Sequence, residues 1–198
     1  MLGSRLANIA SSFISSLNSS IPYHAAKVLT AYSITPSTPS LPALRAILRF
    51  ATDIAFLAPT VSLANGWPGA AYVYHFNEHN PWDGPWKDEA GHVLDVAFLF
   101  QNFSEFLAEK QKESARAFAA DFICFVNGKA PWQEWARGKG ARVYGPSDDA
   151  GEVKGGWAAY VEDRPTAELG RESTIFQLAE EISLDEMVAA WNAFLQGR

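Results

Sequence analysis

The chain has 198 residues, 48% hydrophobic and 13% aromatic, and its 16 basic and 22 acidic side chains leave a net charge of −6. That length suits one domain or part of a larger one, and the acidic balance argues against broad nucleic-acid binding, which needs a basic face. A single cysteine, Cys124, excludes an internal disulfide and any cysteine-based metal site.

Taken in chain order, the pattern predicts mostly helices with few strands. Leu6, Ile9, Ala10, Phe13, Ile14 and Leu17 recur at helical spacing over 5–17, so residues 1–20 read as a loosely attached N-terminal helix on a single domain covering 1–198. No acidic residue precedes Asp53, and Ser11, Ser12, Ser15, Ser16, Ser19 and Ser20 cluster. Such a composition is shared with transit peptides, but with only Arg5 and Lys27 charged before Arg45 it leaves the compartment open. Pro22 is suited to open a short helix reaching Leu29. Residues 35–42 hold three prolines and read as a loop. A longer helix is predicted from Pro42 to Leu57, with Ala43, Ile47, Phe50, Ile54 and Leu57 on its apolar stripe. No stretch reads as the roughly 20 apolar residues of a membrane span.

The sequence Asn65-Gly66-Trp67-Pro68-Gly69 breaks the chain, and Ala70 to Phe76 is the strongest strand pattern. Asn77 to Gly91 is a long Gly- and Pro-containing loop, of a length that is usually functional inside a compact domain. Helices are predicted from Leu94 to Phe100 and from Ser104 to Val126, the second with Ala115, Phe118, Ala119, Phe122 and Phe125 on one face. Cys124 falls in that apolar run and reads as a small buried hydrophobe. Short strands are predicted at Arg142–Tyr144 and Thr174–Leu178. Ser183 and Glu186 form a capping-box pattern that opens a final helix with Leu184, Met187, Val188, Trp191 and Leu195 inward. One good central strand cannot make a sheet alone, so either several weak segments are strands or sheet partners are missing from this chain, and the second, an incomplete sheet, is favoured.

Four histidines are available for chemistry: His24, His75, His79 and His92. His75 and His79 are four apart, but a strand end followed by a loop lacks the helical geometry that would make this spacing a metal pair. His92 closes the Gly/Pro loop and precedes the apolar helix, so it stands at the carboxyl edge of a strand, where α/β sheets build their sites. A neutral imidazole there can take a proton from a serine hydroxyl. Asp95, three residues on, is placed to accept a hydrogen bond or to favour the helix N-terminus. Trp82 and Trp86 bracket Asp83 and Gly84 in the loop. They read as anchors of the loop against the core or as a wall of an acyl or alcohol pocket. Asn18-Ser19-Ser20 and Asn102-Phe103-Ser104 fit the glycosylation acceptor pattern, which has meaning only in a secreted protein.

The ordered series Tyr74-His75-Phe76-Asn77-Glu78, Asn80-Pro81-Trp82-Asp83-Gly84-Pro85-Trp86-Lys87, His92-Val93-Leu94-Asp95-Val96-Ala97-Phe98-Leu99-Phe100, Phe125-Val126-Asn127-Gly128-Lys129 and Pro131-Trp132 resembles the C-terminal part of fungal type-B carboxylesterases, in the cholinesterase-like branch of the α/β-hydrolases. A weaker likeness runs back to about Ile21 and on to the terminal helix. The resemblance implies a partial α/β-hydrolase fold, a serine ester hydrolase by descent, no cofactor and no metal, and His92 as the general base of the triad. The family's nucleophile sits on a G-x-S-x-G elbow ahead of the acid and the histidine. This chain has no such elbow: Ser4 follows a glycine without the rest of the motif, and Ser147 lies between Pro146 and Asp148. The glycine-rich oxyanion loop is also missing. The chain by itself is therefore expected to be inactive, and to meet a small apolar ester only if a complementing hydrolase fragment is supplied. The other reading is a non-catalytic pseudoenzyme or interaction module with an apolar face for a partner or for self-association.

Overall fold

The structure is a computed structural model and describes residues 7–138, 140–147, 156–159 and 170–197. The described chain is mainly helical with one small mixed sheet, and it divides into two compact units, Met1–Ser62 with Glu162–Arg198, and Leu63–Val161.

The first unit is helical. Helix α1 (Ile9–Ser20) is followed by α2 (Ala25–Ala31), then α3 (Ser40–Thr52), which continues through a π-helical turn (Asp53–Leu57) into α4 (Ala58–Gly66). The predicted start of α1 at Arg5 lies outside the described residues. The N-terminal helix, expected to be loosely attached, buries Phe13 and Leu17 completely. Phe13 meets Phe50 and Phe194 edge-on at 5.6 and 5.2 Å. The α3 stripe forms as its spacing predicts, with Ala43, Ile47, Phe50 and Ile54 buried. Past the π turn Ala58 and Val61 are buried, while Leu57, the last residue of the turn, is only partly buried. Asp53, which opens that turn, accepts a hydrogen bond from the buried Tyr32 hydroxyl at 2.7 Å. The continuous helix Ser40–Gly66 spans 27 residues with a mean hydropathy of 1.4 over its most apolar window, so length and composition alone would let it cross a membrane. Arg49 and Asp53 interrupt the apolar letters and hide this in the sequence. Its buried stripe is also what a core helix of a soluble protein shows.

Residues 174–178 were predicted as a strand but belong to helix α8 (Gly170–Ala179). The deciding pattern is Ile175, Leu178 and Ile182, all buried and spaced three and four apart, which outweighs the β-propensity of a short run. The capping box is present: the Glu186 backbone N–H donates to Ser183 Oγ at 3.2 Å and the Ser183 N–H donates to the Glu186 carboxylate at 3.0 Å. It opens α9 (Leu184–Leu195), which buries Met187 and Ala190. Leu195, predicted inward, is exposed because the inward side of the last turn is taken by Phe194, which packs on Phe13.

The second unit holds the sheet. Strands β1 (Val73–Phe76) and β2 (Gly140–Tyr144) are parallel, and β2 pairs antiparallel with β3 (Gly156–Ala159), in the order β1-β2-β3. The register sets Val73 opposite Ala141 and Phe76 opposite Tyr144. Helix α5 (Leu94–Leu99) and helix α6 (Glu109–Val126) pack together, and the short α7 (Trp135–Gly138) leads into β2. The predicted helix from Ser104 is a 3-10 turn (Ser104–Phe106) separated from α6. The face predicted on α6 holds at Ala115 and Phe118 but not beyond: Phe122 and Phe125 are exposed. The core has simply ended by that point, since its buried members are Leu94, Phe98, Leu107, Ala115, Phe118 and Tyr144.

Candidate functional site

Strand β1 orders the site. Tyr74 and Phe76 alternate onto one face, as the pleat requires. Phe76 lies 5.2 Å from Phe98 and 5.9 Å from Phe118, and Tyr74 lies 5.1 Å from Phe118. On α6, Asp121 accepts hydrogen bonds from Tyr144 Oη at 2.7 Å and Arg142 Nε at 3.1 Å, which fixes the helix to β2. Burial first, then the bond to Asp121, raises the Tyr144 phenol above its ordinary range.

The loop after β1 is held at both ends. The Asn77 N–H continues the strand ladder to the Tyr144 carbonyl at 2.7 Å. Glu78 is 0% exposed, and its carboxylate accepts from Ser147 Oγ at 2.5 Å and Ser147 N–H at 3.1 Å. Gly145 makes that approach possible: its φ is +84°, and a Cβ there would sit 2.7 Å from the Glu78 carboxyl carbon and backbone nitrogen. Further along, Gln111 Nε2 donates to the His79 carbonyl at 2.8 Å. The Asn80 N–H donates to the Glu89 carbonyl at 3.1 Å and the Asp88 N–H returns to the Asn80 carbonyl at 3.0 Å, closing the loop on itself. At its tip Lys87 pairs with Asp83 at 2.8 Å, and that bond holds the Asp83 carboxyl below the usual range.

Trp82 anchors this loop. It is half-buried, its N–H donates to Asn80 Oδ1 at 2.9 Å, and its ring meets Phe103 edge-on at 6.0 Å. Trp86 does not: it is 43% exposed at the loop tip. His92 is exposed in the turn between the loop and α5. The next residue, Val93, takes a left-handed backbone with φ 68°, unusual for a β-branched side chain. The Leu94 N–H bonds back to the Gly91 carbonyl at 3.2 Å. Asp95 accepts a hydrogen bond from Tyr74 Oη at 3.2 Å. Burial, and then the adjacent Asp95 charge and bond, push the Tyr74 phenol up to about 12. Thus the structure brings Asp95 together with Tyr74, and among the described residues no hydrogen bond or ion pair joins His92 to Asp95, Trp82 or Trp86.

Ser147 is a serine paired with a carboxylate near this region, but it is buried and its hydroxyl donates to Glu78. Among the described residues no group of three His, Cys, Asp or Glu side chains is placed to hold a metal ion. Two polar groupings escaped the sequence pattern: Glu78 with Ser147, and Asp121 with Arg142 and Tyr144. Their partners are 69 and 21 to 23 residues apart, with no local spacing to announce them. Compared with known proteins, the chain matches no family model, no curated protein and no solved structure.

Proposed function

We propose that this chain is the histidine-bearing, C-terminal part of an α/β-hydrolase that cleaves carboxylic esters, with His92 as the general base of a triad whose serine elbow and oxyanion donors come from other polypeptide. One observation carries the reading. A parallel strand leads through a loop bonded at both ends to an exposed histidine at a helix start, which is a suitable place to present an imidazole to a nucleophile on another element. In that role the free imidazole nitrogen takes the serine proton as the hydroxyl attacks the ester carbonyl, then returns it to the leaving alkoxide. Alone, the chain has a base with no nucleophile to activate, and it does not turn over esters.

The apolar surface beside His92 supports both this reading and its alternative. Val96 of α5 and, flanking the helix, Val93, Phe100 and Phe103 are exposed, while Leu94 and Phe98 of α5 are buried. Exposed apolar residues grouped around one short helix suit a surface that another chain covers. In the hydrolase reading the serine-bearing part covers it; in the alternative, a non-catalytic interaction module, another protein does. The test is a fluorophosphonate probe applied to an N-terminal hydrolase fragment carrying a G-x-S-x-G elbow. Labelling is expected only when this chain is added, and His92→Ala should cut the labelling rate by roughly 10⁴-fold or more. Complex formation with labelling unchanged by His92→Ala would favour the non-catalytic module.

A further inference from the structure

We infer that Tyr74 is a positioning residue for His92, acting through Asp95, and that Asp95 is therefore not the acidic partner of the histidine; the role in catalysis rests on the hydrolase reading above. The geometry starts from a difficulty. His92 follows β1 by a loop of fifteen residues, Asn77 to Gly91, and the turn that presents it contains Val93 in a left-handed conformation. A β-branched residue there is strained, and such a residue persists only where its surroundings over-determine it. Three contacts do so. The Leu94 N–H closes the turn on the Gly91 carbonyl. Phe98, one helical turn on, is fully buried against Phe76 of β1. Between these, Tyr74 reaches from β1 to Asp95 in the first turn of α5. Tyr74 and Phe76 share one face of the strand, and Asp95 and Phe98 are three apart on the helix, so the two contacts form a two-point brace between strand and helix start. A brace of this kind fixes both the distance and the rotation of the turn that carries His92.

Asp95 has a competing explanation. As an acidic residue in a first helical turn, it would stabilise α5 through the helix dipole alone. The two roles predict different mutational patterns. In a brace, the acceptor oxygen matters more than the charge. Asn in place of Asp keeps an oxygen for the Tyr74 hydroxyl, whereas Ala does not. In a dipole role Asn and Ala are equally poor, and Tyr74 is irrelevant.

The experiment is amide hydrogen exchange, followed by NMR, on the whole chain and its variants. The Leu94 amide reports the His92 turn, and the Asn77 amide, bonded to Tyr144, reports the sheet. Tyr74→Phe and Asp95→Ala should each speed Leu94 exchange about tenfold, which corresponds to about 1.4 kcal/mol for a lost hydrogen bond. Their combination should add little, since both remove the same interaction. Asp95→Asn should retain most of the protection, and Asn77 should stay within about twofold throughout. The His92 Cε1–H resonance should shift in Tyr74→Phe and return toward wild type in Asp95→Asn with Tyr74 intact. Unchanged Leu94 exchange in Tyr74→Phe overturns the proposal, as does Asp95→Asn behaving like Asp95→Ala. Equal losses at Leu94 and Asn77 also overturn it, because they mark general destabilisation. No serine fragment or ester enters this measurement, so its failure is distinct from failure of the hydrolase reading, which fluorophosphonate labelling tests.

Discussion

The two units solve the problem of burying a surface in opposite ways. The helical unit gathers eighteen described residues into one buried apolar cluster drawn from seven segments of the chain. The sheet unit has six, and it compensates with aromatic edge contacts and long-range hydrogen bonds around Asp121, Glu78 and Tyr74. It also leaves more of the large apolar side chains in solvent. Of the eighteen large hydrophobic residues exposed in the described chain, thirteen lie between Leu63 and Val126. A small interior with many exposed large apolar residues marks a surface suited to contact with another molecule. His92 and its loop sit on that unit.

This contrast can be broken most directly in the cores. Phe98→Ala and Phe50→Ala each remove a fully buried phenylalanine, at a cost of about 3–5 kcal/mol. In the six-residue cluster the loss should abolish the near-ultraviolet circular dichroism of Tyr144, Trp82 and their neighbours, with helical signal retained. In the larger cluster Phe50→Ala should lower the melting temperature and leave those aromatic bands in place. Identical behaviour of the two variants would show that the chain folds as one cooperative block.

A smaller effect is expected at the glycine that lets the loop meet β2. Gly145→Ala adds a left-handed backbone cost of about 1–2 kcal/mol and a clash with Glu78 of about 1–3 kcal/mol. Gly128→Ala, at φ +71° with open space around it, should show the backbone cost alone. Urea titration of both variants separates the two contributions.

The smallest effect concerns pH. Tyr74 has its folded phenol raised to about 12 from an ordinary value of 10. The neutral phenol is the form favoured by folding, so its contribution is complete below pH 10 and is lost as pH rises from 10 through 12. Tyr144 is raised in the same direction. Urea midpoints should therefore fall across that window, and Tyr74→Phe should flatten the fall in part. A midpoint independent of pH from 9 to 12 would show that neither phenol is coupled to folding.

How much of this was legible in the sequence depended on whether the deciding contact was local. The α3 stripe, the Ser183–Glu186 cap and the strand around Val73 all follow from spacing or from a motif within a few residues: the cap forms where its letters predict, the stripe is buried from Ala43 to Ile54 in a helix that starts at Ser40 rather than Pro42, and the strand keeps Val73–Phe76 of the predicted Ala70 to Phe76. The 174–178 segment failed because a short apolar run fits a strand or a helix equally well, and the tie is broken by Ile182, beyond the run. The face of α6 failed at Phe122 and Phe125 because periodicity says which residues share a side, not how far the neighbouring core extends. In the site, His92 and Trp82 could be singled out from loop context. The bond from Tyr74 to Asp95 could not, since nothing in either residue's neighbourhood ties a strand tyrosine to a carboxylate 21 positions later.

The wide turn at Asp53–Leu57 leaves the apolar face of this helix in step. Ala43, Ile47, Phe50, Ile54, Ala58 and Val61 are spaced three and four apart and all are buried, which is the α-helical period carried through the turn. Five of them, Ala43 to Ala58, belong to one apolar cluster. The helix on either side of the turn therefore answers to the same core, and a cavity opened at Ile47 or at Ala58 is expected to be felt by the same set of neighbours.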